Sequence, residues 1–201
     1  MKGLLRYLSP MAPDQSGAAA VLYGMDCITV VCDAGGCTGN ICGFDEPRWH
    51  DRPGAVFSAG LRDMDAILGR DDRLVEKLAD AAERADASFA AIVGTPVPAV
   101  IGTDYRALSR MAEKKCGIPA VAVECTGTHL YEKGESDTYL VLFEKFAEDR
   151  ERQETGEVRA QNEGQTKIAG ILGMTPLGIS LTDGLPHLMR NEQYQKYKEL
   201  R

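Results

Sequence analysis

CITVVCDAGGCTGNICG, residues 27–43, is the stretch whose reading decides the fold. Residues 27–32 are β-branched or apolar throughout, the composition of a strand buried on both faces rather than one. The glycine-rich run behind them lets the backbone turn tightly and wrap a ligand. Before the strand, QSGAAAVLYG (15–24) reads as a helix whose small residues pack close to a sheet. After it, GAVFSAG (54–60), SFAAIVGT (88–95), IPAVAVEC (118–125) and KIAGILGM (167–174) repeat the apolar pattern. Helical stretches at Asp71–Ala85 and Asp104–Cys116 separate them. Apolar strands alternating with helices predict a three-layer α/β/α, Rossmann-like domain with a mainly parallel sheet of about five strands. Chemistry is then expected in the loops at the carboxyl ends of the strands.

The chain has 201 residues, 44% hydrophobic and 26% charged, with a formal charge of -7. That suits one ordinary soluble domain, or one domain with an appendage. The acidic balance argues against a nucleic-acid binder, which needs a basic face. No segment approaches the roughly 20 apolar residues of a membrane span, and the amino terminus lacks a secretory apolar core. A cytoplasmic location is expected. From Glu148 to Thr166 the sequence turns charged and aperiodic. The expected organisation is an α/β domain over 1–150, a linker over 151–166, and over 167–201 a final strand and helix or the start of a second domain.

Four of the six cysteines, Cys27, Cys32, Cys37 and Cys42, recur at every fifth position. Even spacing does not make them equivalent. On a strand, Cys27 and Cys32 lie roughly 16 Å apart and face opposite ways. Cys32, Cys37 and Cys42 are therefore the candidate metal and cofactor ligands, Cys32 closing the strand and the other two in a loop. Soft thiolates select zinc, copper(I) or iron–sulfur clusters, and a 4Fe-4S centre takes four. One chain offers three, so the fourth ligand is sought in Asp33, Asp45 or a second subunit. The plainer alternatives are ordinary thiols or a structural zinc site, although the pairwise spacing usual for zinc is absent. Cys27 and Cys125 sit in apolar strands and are assigned to the core, and Cys116 ends a helix.

His50, His129 and His187 are scattered, and no motif supplies a catalytic partner for any of them. Trp49 is expected to pack, and Thr103 or Asp104 to cap a helix. No catalytic residue emerges.

In sequence order, these stretches resemble the nitrogenase component 1 proteins and their cofactor-assembly and chlorophyllide-reductase relatives. In that family a strand runs into a histidine-glycine-proline-x-glycine-cysteine loop whose cysteine ligates an iron–sulfur cluster at a subunit interface. Here the stretch is VVCDAGGC, with Cys37 on the ligand cysteine, Gly36 on the preceding glycine and Cys32 on the histidine. PDQSGAAAVLYGM, FSAGLRDMDAILGRDDRLVEKLADA, IVGTPVPAVIGTDYRAL and GIPAVAVECTG match further family phrases over residues 10–150, and KIAGILGMTPLG resembles the beginning of the next domain. Pro13 and Pro96 stand where two other cluster cysteines would be. The resemblance implies an oxidoreductase component that transfers electrons or handles a cofactor through an iron–sulfur cluster, 4Fe-4S first. It also implies a homodimer or a pairing with another component 1-like subunit, with residues 33–48 near the contact, and an ATP-dependent iron protein as electron donor. The two prolines support the other reading, a binding or assembly module that keeps the fold without the cluster.

Overall fold

The computed structural model describes residues 12–50, 54–85 and 87–147, the side chains of Pro47 and His50 excepted. The expected strand at 167–174, the linker and His187 lie outside the described residues.

Among the described residues four strands form the sheet: β1 (Cys27–Val31), β2 (Val56–Ser58), β3 (Phe89–Val93) and β4 (Ala120–Val123). Their order is β2-β1-β3-β4, and every pairing is parallel, with Thr29 opposite Val56 and Ala91, and Ala91 opposite Val121. β1 and β3 are buried along their whole length. β2 departs from expectation. Its apolar sequence predicts burial on both faces, but it is a three-residue edge strand with Phe57 exposed. An edge strand has a neighbour on one side only, and here the helices leave part of it uncovered.

Seven α-helices surround this sheet among the described residues: α1 (Asp14–Tyr23), α2 (Gly36–Asn40), α3 (Asp63–Leu68), α4 (Asp71–Ala82), α5 (Pro96–Ile101), α6 (Tyr105–Cys116) and α7 (Tyr131–Phe146). On one face Leu74, Leu78, Leu108 and Ala112, from α4 and α6, pack with Ile28, Val30, Ala90 and Ile92. On the other, Ala18, Val21, Leu22 and Leu142, from α1 and α7, pack with Cys27, Ala91, Val93 and Val121. Burying each large aliphatic side chain contributes about 1.5–3 kcal/mol, so the two layers hold the sheet without disulfides.

α1 and α7 approach very closely, and their glycines explain how. A Cβ on Gly17 would run into the carbonyl of Tyr131, and one on Gly134 into the carbonyl of Asp14. The segment after β1 also differs from expectation. Residues 36–45, read as a glycine-rich loop, form α2 and continue without a break as one π-helical turn, Ile41–Asp45. Gly35, at φ 121°, makes the turn into α2. The Asp33 carboxylate then accepts from the Thr38 backbone N–H at 2.7 Å and offsets the poor helix propensity of the glycines. No helix among the described residues is long and apolar enough to cross a membrane.

Candidate functional site

Four segments meet beyond the carboxyl ends of the strands: the start of α1, α2, the Thr95–Pro96 turn after β3, and residues 125–128 after β4. Asp14, 2% exposed, ties two of them together by accepting from the N–H groups of Thr126 (3.0 Å) and Gly127 (2.8 Å). The buried Thr95 hydroxyl donates to the Cys32 carbonyl at 2.6 Å and joins the ends of β1 and β3. Pro96 opens α5 at its first position, where a missing N–H costs nothing.

Cys37 lies in the first turn of α2, half-buried against Ala19, Val31 and Ile41. The Gln15 side-chain amide sits over it, with Nε2 donating weakly to Cys37 Sγ at 3.9 Å. Gln15 is 6% exposed, and its Oε1 has no hydrogen-bond partner among the described residues. On the far side of that amide, the ideal Cβ position of Gly127 lies 3.5 Å from Gln15 Oε1 and in collision with the Pro96 ring. Only glycine, here at φ +74°, lets the chain pass between them. Gln15 therefore borders Cys37, and Gly127 packs between Gln15 and Pro96.

The three candidate ligands do not converge. Cys32, 1% exposed, faces the core layer of Leu74 and Leu108, whereas Cys37 faces Ala19 and Ile41. Burial first, then the charges of Asp71 and Asp33, pushes the Cys32 thiol up to about 12. Cys42, in the π-helical turn, is half-buried. Its pKa is also raised, as is that of Cys37, by burial and then by Asp33. Without a metal, these thiols stay protonated at neutral pH. The proposed oxygen ligands are engaged as well: Asp33 accepts from Thr38 and from Ser58 Oγ (2.6 Å), and Asp45 from Ser16 Oγ (2.6 Å). Among the described residues no three histidine, cysteine or acidic side chains stand together to hold a metal ion.

The remaining candidates have structural roles. Cys27 and Cys125 are buried in the α1–α7 layer, and Cys116 packs against the opposite layer. Trp49 packs at 6.3 Å from the Tyr23 ring, whose face also carries the Arg48 guanidinium at 4.6 Å. Asp104, not Thr103, caps α6 by accepting from the Ala107 N–H at 2.9 Å. The His129 carbonyl accepts from the Asp14 N–H.

A family model described as Nitrogenase component 1 type Oxidoreductase matches residues 14–186, most of the chain. The chain belongs to that family. Among solved structures, "Nitrogenase Cp1 at pH 5" is similar at 20% identity, with a TM-score of 0.57 over 68% of this chain and 30% of that one. "Nitrogenase Cp1 at pH 6.5" gives 20% identity and a TM-score of 0.56, over 68% of this chain and 28% of that one. The present chain thus spans under a third of the length of these component 1 structures, and at this identity the likeness concerns the fold. No curated protein matches.

Within the family, the resemblance makes Cys37 the thiol in register with a cluster ligand, and Pro13 and Pro96 the replacements of two others. The structure holds both prolines at the same edge, at the starts of α1 and α5. Neither carries a donor atom. The donor set within one chain does not fit a four-thiolate 4Fe-4S centre. The sequence reading missed Gln15 and Asp14. Their signal was slight: two polar residues just ahead of a small-residue helix look like an exposed first turn.

Proposed function

We propose that the chain is a docking and assembly subunit of the component 1 type, which pairs through the surface around Cys37 with another component 1-like chain and holds no four-iron cluster by itself. The carrying observation is the buried Gln15 amide against Cys37, the one thiol the resemblance puts in register, with Gly127 and Pro96 packed next to that amide's oxygen. Pairing is supported by the apolar side chains at the same edge: Phe44 after α2, Val97 and Val100 on α5, and Leu130 before α7 are all exposed, Val100 by 86%. Such a surface on a soluble chain marks an interaction site.

A second reading is favoured by one observation: Cys37 and Cys42 both keep partial exposure on one continuous helical segment. Two copies would then supply two thiolates each, making the four a 4Fe-4S centre takes, with Cys32 left in the core. The chain would act in electron relay, and its donor, by family resemblance, would be an ATP-dependent iron protein. Sedimentation of the full chain before and after anaerobic incubation with iron and sulfide separates the readings. The docking subunit associates without taking up iron, whereas the shared site needs iron to pair and loses that pairing in Cys37→Ser.

A further inference from the structure

A cavity of about 250 Å³ opens between α3 and α5. It lies at the point where the chain reverses its direction across the sheet, since β1 leads outward to β2 and the neighbouring β3 leads the other way to β4. Crevices at such reversals are where open α/β sheets bind small ligands. The floor is apolar, formed by Leu74, Leu108 and the Cys32 thiol. Ala66 from α3 and Ile101 from α5 make the walls. Gly69 and Gly102, both left-handed, end these two short helices and swing the first turns of α4 and α6 to the rim.

Those turns bring Asp71 and Asp104 to the cavity. Helix starts favour acidic residues, and that alone accounts for an aspartate at each. It does not account for how Asp71 is left. Its carboxylate is half-buried and makes no hydrogen bond or ion pair with any described residue, although Arg70 also lines the rim. Burial and then the like charges of Asp72 and Asp104 raise its pKa. Beneath it the Cys32 thiol, 1% exposed and lining the same cavity, makes no hydrogen bond among the described residues. A buried weak donor and an uncompensated carboxylate thus face one apolar space. A metal ion does not suit them, because no three candidate ligands stand close enough. A larger cation with longer contacts does, and the cavity has room for roughly eight water-sized groups.

We propose that this cavity binds a small organic ammonium ion with a short apolar body. The ammonium lies between Asp71 and Asp104, and the hydrocarbon rests on Leu74, Leu108 and the Cys32 thiol. The site is independent of the Cys37 edge and of any iron.

Titration calorimetry on the full chain tests this with three probes of one size: butylammonium, n-butanol and butyrate. Butylammonium is expected to bind about tenfold or more tighter than n-butanol, as a charge-assisted hydrogen bond implies, and butyrate not at all. Asp71→Asn should abolish the preference for the amine over the alcohol. Asp104→Ser, which keeps a capping oxygen for α6, should weaken the amine alone. Ala66→Phe should block both ligands by filling the wall. Amine binding no tighter than that of the alcohol overturns the proposal, as does equal amine affinity in Asp71→Asn or no binding by any probe.

Discussion

The Cys27 thiol donates to the Leu22 carbonyl at 3.4 Å and lies 3.6 Å from the Thr29 hydroxyl. A serine hydroxyl would find the same partners. Cys27→Ser is therefore expected to cost only about 1 kcal/mol, measured by urea unfolding, because the new polar group is hydrogen-bonded in place. A loss several times larger would mean the site does not accommodate a hydroxyl. The thiols also set a pH dependence. Burial lifts Cys27 from the ordinary 9.0 to about 11 and Cys32 to about 12. Each folded pKa lies above its unfolded value, so this stability is complete below pH 9.0 and lost as the pH rises through about 11 and 12. The urea midpoint should fall across that window, and less steeply in a Cys27→Val, Cys32→Val variant; equal slopes would contradict the assignment. That Cys27 and Cys32 belong to opposite core layers was legible in the sequence, because strand periodicity requires it. The neighbourhood of Cys37 was not, since it depends on residues 15, 96 and 127, which only the assembled fold brings together.

Among the helices, the α1–α7 contact makes the sharpest prediction. Gly17→Ala places a methyl group against the Tyr131 carbonyl, backbone on backbone, where no side chain can yield. A loss of about 3 kcal/mol is expected, against the small gain alanine brings to an ordinary helix position. Thermal unfolding checks it, and an unchanged midpoint would show that the two helices are farther apart. Asp14→Ala strips the acceptor from the Thr126 and Gly127 N–H groups, and about 2 kcal/mol is expected from that loss of charge-assisted bonds. Strands and the two amphipathic helices, α4 and α6, could be read from periodicity. α7 escaped the reading because Gly134 and the mixed sequence YEKGESDTYLVLFEKF give no clean apolar stripe. Glycine there reflects a neighbour's backbone, which no local pattern records. Residues 36–45 escaped for the opposite reason: three glycines suggested a loop, and the Asp33 cap that makes a helix of them acts through hydrogen bonds.

For the whole molecule, an all-parallel sheet with helices on both faces followed from the order of apolar segments, and family membership from phrases spread along the chain. Function depends on fewer atoms. On the proposed reading, Pro13 and Pro96 in place of thiols would remove ligands and leave the fold intact. On that reading this chain alone holds no four-iron centre, because the Gln15 amide lies against Cys37 and the Cys32 thiol faces a different core layer. The most direct measurement is anaerobic reconstitution of the full chain with iron and sulfide, followed by desalting and assay of iron, sulfide and visible charge-transfer absorption per chain. No stable iron or absorption is expected, in wild type and Cys37→Ser alike. Stoichiometric iron and sulfide with strong absorption in the wild type, lost in Cys37→Ser and kept in Cys27→Ser, would contradict it.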